Sequence, residues 1–164
     1  MKKNTCFFVI CLLLASSAFL SAQTAVEIEE LLETKAVSYD QAALFVLKAA
    51  DVSDLKDPAE AFRFAAGRNW LPGKAVSGDA ARLDGVSLLV MRSFNIKGGL
   101  FYSLTKSPHY AYREMVYQDI IQGRADPAMA VSGEFLLFIV SRVLFLQEDH
   151  ASGAGQETIL EDQG

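Results

Sequence analysis

The chain has 164 residues and a formal charge of −5, from 15 basic against 20 acidic side chains. With 51% hydrophobic and 21% charged residues it can build one core, which excludes a disordered tail or a collagen-like polymer. The acidic balance argues against a nucleic-acid partner, which needs a basic face to displace counterions, while leaving room for a local basic patch.

Residues 1–22 read as a secretory signal. Lys2 and Lys3 form the positive n-region, Cys6 to Leu14 is unbroken apolar sequence, and Ser21-Ala22 before Gln23 offers a cleavage point. The apolar run is shorter than the ~20 residues of a spanning helix, so cleavage is expected, with no transmembrane segment left behind. Losing Lys2 and Lys3 takes the 15 basic residues to 13 against 20 acidic ones. Cys6 and Cys11, the only cysteines, go with the leader, so no disulfide, thiol nucleophile or cysteine ligand would remain. Neither cysteine sits where a lipoprotein signal needs it. The expected location is the periplasm or cell envelope of a bacterium.

The next elements all read as helices. Thr24 with Glu27 forms a capping box that opens a helix over 25–33, and a second helix follows over 39–50. Asp57 with Glu60 is another capping box, with Pro58 at the first helical position, and predicts a helix over 58–69. A turn containing Gly73 leads to a helix over 82–94, and Gly98-Gly99 reads as a plain loop. Ser107-Pro108 repeats the start signal for a helix over 108–121, and the turn containing Gly123 precedes the last helix, over 133–146. That last helix is apolar almost all round, which predicts a central, buried position. Residues 148–164 read as a disordered acidic tail. No strand pattern with hairpin turns competes, so the predicted fold class is all-α.

The chain repeats itself. Shifted by 50 residues, 57–94 falls on 107–144 without a gap: Pro58 on Pro108, Ala61-Phe62-Arg63 on Ala111-Tyr112-Arg113, Gly73-Lys74-Ala75 on Gly123-Arg124-Ala125, and Arg92 on Arg142. A partial earlier copy aligns in either of two registers. Asp40 to Lys48 has the acid-then-base spacing of Asp84 to Arg92, while Lys35-Ala36-Val37-Ser38 matches Lys74-Ala75-Val76-Ser77. The expected domain is therefore 23–147, with helix-turn-helix copies at about 24–52, 57–96 and 107–147.

Three such copies resemble the S-layer homology (SLH) domain. In the last copy Ile120-Ile121-Gln122-Gly123-Arg124-Ala125-Asp126-Pro127 resembles the family's Gly-Ile-Ile-x-Gly-type turn. Val131-Ser132-Gly133-Glu134 there resembles its Thr-Arg-Ala-Glu helix opening. In that family the opening Arg and its neighbours help bind anionic cell-wall polysaccharide in grooves between repeats. Here the last copy has Gly133 at that place and the first has Ser38-Tyr39-Asp40; only the second keeps a basic residue, in Ala81-Arg82-Leu83-Asp84. The resemblance thus implies a three-repeat helical fold and a ligand role for Arg82.

Catalytic chemistry has little to work with. His109 and His150 are the only histidines, and no metalloprotease, nucleophile-elbow or Walker-type motif occurs. The chain is not expected to be an enzyme or to hold a cofactor or metal. Asp84 and Arg92 span two turns of one helix, and each such base is expected to pair with an acid from another repeat and fix the repeat packing. Tyr110 and Tyr117 are expected on an inward stripe, with Tyr112 matching Phe62. Trp70 stands at a turn before Leu71-Pro72-Gly73-Lys74, and with Lys74, Arg82 and Arg124 it is the candidate aromatic and basic surface for an anionic glycan. The function so implied is a non-enzymatic envelope module binding peptidoglycan or an associated anionic polysaccharide. The alternative is a periplasmic scaffold or adaptor that binds another envelope protein.

Overall fold

The computed structural model describes the backbone of residues 27–123 and 125–160, with side chains up to Asp149. The expected signal over 1–22 and the Thr24 cap lie outside the described residues. Within them the chain is all-helical. The order is α1 (27–33), α2 (Tyr39–Ala49), α3 (Pro58–Gly67), α4 (Leu83–Ser93), α5 (Leu100–Thr105), α6 (Pro108–Tyr117) and α7 (Gly133–Leu160).

Local chemistry sets most of these boundaries. Asp57 and Ser107 cap α3 and α6 through their side-chain oxygens, each with proline in the first turn. α2 opens on a capping box that the sequence reading misses: the Ser38 hydroxyl accepts from Gln41 N–H while the Gln41 amide oxygen accepts from Ser38 N–H. Four helices stop in the same way. Asp51, Asn69, Asn95 and Asp119 adopt φ of 52°, 56°, 51° and 59°, a left-handed conformation that Asn and Asp tolerate best after glycine. The next residue then reaches back, with Val52, Trp70, Ile96 and Ile120 donating to the carbonyls of Leu47, Ala65, Met91 and Met115 at 2.9–3.0 Å. A polar Asx followed by an apolar residue is thus the recurring stop signal. It ends α6 at Tyr117, short of the expected Ile121.

Three extended segments, one before each of α2, α4 and α7, meet in the middle. Val37 N–H donates to Val131 O at 2.9 Å, Val131 N–H to Ala81 O at 3.0 Å, and Ala81 N–H to Val37 O at 2.8 Å. All three residues are fully buried. Two residues further on, Tyr39, Leu83 and Gly133 donate to the carbonyls of Asp79, Met129 and Thr34. Buried amides must be paired, and here each segment satisfies its neighbour in a closed ring. The only β pairing among the described residues belongs to this ring, as isolated bridges between Ser38 and Ala80 and between Arg82 and Ala130. Of the two sequence registers, the ring matches the one that aligns Asp40 with Asp84.

Helix packing crosses the sequence repeat. α2 packs on α3 and α4 on α6, while α2 also touches α4 and α7. The segments 68–82, between α3 and α4, and 118–123 with 125–132, between α6 and α7, are long, whereas only 34–38 separates α1 from α2.

Two expectations are corrected here. The central helix is α4, buried from Leu83 through Met91 on nearly every side. α7 buries Leu136, Ile139, Val140 and Val143 but leaves Phe138, Leu144 and Phe145 exposed. As the last element it has neighbours on one side, whereas α4 has α2 and α6 around it. α7 also does not end near Leu146. It runs to Leu160, so 148–160 of the expected disordered tail is helical.

Candidate functional site

The site follows from where α4 begins. Arg82 is the N-cap of α4, in extended conformation with φ −86° and ψ 152°, and its backbone belongs to the central ring. Its side chain is therefore carried outward at the rim. It meets Asp84, with Nε 3.3 Å from Oδ1 and Nη2 3.1 Å from Oδ2. The Arg82 side chain is 54% exposed and that of Asp84 only 18%, so a two-pronged ion pair stands with its cation toward solvent.

Around this pair is a cleft of about 400 Å³ lined by Tyr39, Pro72, Lys74, Asp79, Arg82 and Asp84 among others. The turn at 72–75, closed by Ala75 N–H donating to Pro72 O at 2.9 Å, sets Lys74 on one wall. Lys74 makes no ion pair among the described residues. Tyr39 forms the floor. Its ring approaches Gly85 so closely that a Cβ there would lie 2.6 Å from the phenol oxygen, and the same oxygen accepts from Arg82 N–H at 3.4 Å. Burial pushes the Tyr39 phenol above its ordinary pKa, partly opposed by that backbone bond. The cleft thus brings together two cations, Lys74 and Arg82, two carboxylates, Asp79 and Asp84, and a neutral hydroxyl. An anionic ligand there has to take the guanidinium from Asp84 and lie beside Asp79.

The predicted site residues divide. Lys74 and Arg82 share the cleft. Trp70 does not line it: it is the apolar residue after the left-handed Asn69, half-buried against the core and edge-on to Phe64 at 6.1 Å. Its place matches that of Val52, Ile96 and Ile120, so its role is to close α3. Arg124 lies outside the described residues. Tyr39 and Asp84 complete the cleft and were not chosen from sequence.

Other expectations change as well. Among the described residues the acid–base pairs do not join one expected copy to another: Lys48 bonds Glu27 at 3.0 Å, and Arg142 reaches the carbonyl of Asp119 at 3.0 Å. Arg92 makes no ion pair among the described residues, and its Nε is buried without a partner. Tyr117 is 87% exposed and so leaves the inward stripe, because α6 ends there. Tyr112 is half-buried, donating its hydroxyl to Ala125 O.

Among the described residues no cluster of three or more His, Cys, Asp or Glu could hold a metal, and no helix is long and apolar enough to cross a membrane. Compared with protein-family models, curated proteins and solved structures, the chain matches none.

Proposed function

We propose that the chain is an exported, non-enzymatic cell-envelope module of three SLH-like repeats. It binds an anionic polymer of the cell wall, peptidoglycan or an associated polysaccharide, at the cleft beside the central ring. The observation that carries this reading is that Lys74 and Arg82 line one solvent-open cleft with Tyr39. A bidentate Arg82 would meet a carboxylate or phosphate of the polymer, and Lys74 would add an unpaired charge. The ring of Val37, Ala81 and Val131 supports the three-repeat part of the proposal, since equivalent segments meet there through equivalent bonds.

The test is a pull-down of the protein on purified sacculi with single variants. A charge-assisted hydrogen bond contributes roughly 1.5–3 kcal/mol, so Arg82→Ala should weaken binding on the order of tenfold or more. Arg82→Lys should recover part of that, and Lys74→Ala should cost less and be relieved more by salt. Asp84→Asn removes the internal competitor and should strengthen binding. A folded Arg82→Ala that binds like the parent, or a parent that does not bind, refutes the proposal. A second reading, an adaptor for another envelope protein, draws on the exposed Phe138, Leu144 and Phe145 of α7.

A further inference from the structure

The segment after α4, which sequence reads as a plain loop, contains the short helix α5, and α5 faces the wrong way for a core element. Leu100, Phe101 and Leu104 are 79%, 63% and 80% exposed, while Tyr102 is buried. The helix is firmly held in that orientation. A Cβ at Gly98 would lie 2.5 Å from the Tyr102 ring, so glycine is what lets this tyrosine seat. The Ser103 hydroxyl donates to Gly98 O at 3.1 Å, and the Lys106 ammonium lies 4.6 Å from the Tyr102 ring centre. Phe101 is stacked on Tyr110 at 5.5 Å. Three large apolar side chains are therefore presented outward by a built support.

Charge says what they meet. From Gly85 to Arg113 the sequence has Arg92, Lys97, Lys106 and Arg113 but no acidic residue, in a chain whose net charge is −5. Lys97 and Lys106 are exposed, one before and one after α5. Glu114 is half-buried, its carboxylate set against the backbone of Gly99. The apolar stripe on α7 is different, being bordered by the exposed acids Glu134, Glu148 and Asp149. An anionic surface would attract the first and repel the second.

We propose that α5 is a lipid-contacting knob. Leu100, Phe101 and Leu104 enter the interfacial layer of an anionic phospholipid bilayer, and Lys97 and Lys106 meet its headgroups. The apolar side chains gain by leaving water, and lysines beside a negative leaflet add an electrostatic attraction that salt screens. Attachment by so few side chains is reversible. This inference goes beyond the cell-wall reading and does not rest on it.

The experiment uses the protein as recovered from the envelope of cells that export it. It is sedimented with vesicles of phosphatidylcholine, with or without about one third phosphatidylglycerol. Binding should require phosphatidylglycerol and weaken with salt. Leu100→Glu/Leu104→Glu should lower affinity at least roughly tenfold, and Lys97→Glu/Lys106→Glu roughly fivefold or more for each lysine. Both variants should keep the parent's circular dichroism and its behaviour on sacculi. In Leu104→Trp the added emission, read against the parent's single Trp70, should be quenched by brominated phosphatidylglycerol. Equal binding by the leucine variant, equal affinity for neutral vesicles, or unquenched emission would overturn the proposal. So would cross-linking of α5 to a protein while the emission stays unquenched.

Discussion

Replacing Gly133 with alanine tests how tightly the central ring closes. A Cβ on Gly133 would lie 1.6 Å from Leu31 O and 2.5 Å from Leu31 C, whereas ordinary contact begins at 3.4 Å. The obstacle is backbone, so no side chain can swing aside. The short first connection over 34–38 draws α1 against the start of α7. Alanine must therefore displace α1 or α7 and break the bond from Gly133 N–H to Thr34 O, now 2.8 Å. Overpacking costs roughly 1–3 kcal/mol and a lost buried hydrogen bond about 1 kcal/mol or more. The gain in helix propensity, at most about 1 kcal/mol, is smaller at a first-turn position. The net loss is roughly 2 kcal/mol, or on the order of 5–10 °C in Tm for a domain of this size. Gly67→Ala is the control, because nothing lies within 4 Å of a Cβ there and its φ is not left-handed. It should leave Tm unchanged or raise it by a few degrees. Thermal unfolding followed by circular dichroism reads both. If Gly133→Ala melts at or above the parent's temperature, the ring does not close as described.

Two further expectations concern ionisation and the rim ion pair. Burial raises the pKa of both Tyr39 and Tyr102, so the unfolded chain loses these protons first; their contribution is intact below about pH 10 and is lost as pH climbs through the folded values. Ultraviolet titration should show two of the five tyrosines ionising late, and Tyr39→Phe should flatten the alkaline loss of stability; a titration with all five in step would contradict this. Arg82→Ala should change unfolding free energy by less than about 1 kcal/mol, because an exposed ion pair contributes little. A larger loss in urea unfolding would mean that the guanidinium supports the fold itself.

Much of the fold was legible because its signals are local. Asp57-Pro58 and Ser107-Pro108 announce their helices by caps and a proline, and the structure begins α3 and α6 there. Burial was less legible, since it depends on which elements become neighbours. α7 looks more apolar than α4 in sequence, yet α4 is surrounded and α7 is not. Trp70 misled for a related reason. An aromatic residue beside a glycine turn suggests a binding surface, while the preceding Asn69 marks it as the residue that folds back over α3. The Asx–apolar pair at Asp51, Asn69, Asn95 and Asp119 was present in the sequence, and only its recurrence at helix ends gives it meaning. α5 escaped because Gly98-Gly99 reads as a loop, and the partner that makes those glycines necessary is the Tyr102 ring. For the site, Arg82 was chosen through the family resemblance and Lys74 through the turn after Trp70, and the two share the cleft; Asp84, the partner of Arg82, was read as a packing residue.

Whether the cleft beside the ring takes an anionic cell-wall polymer can be read residue by residue by amide NMR. Isotope-labelled protein would be titrated with solubilised fragments of purified cell wall. Polymer bound in the cleft should give chemical-shift changes concentrated on Lys74, Ala75, Asp79 and Arg82, diminishing with salt and absent in Arg82→Ala. No shifts at saturating polymer, or shifts confined to α5 or the outer face of α7, would contradict it.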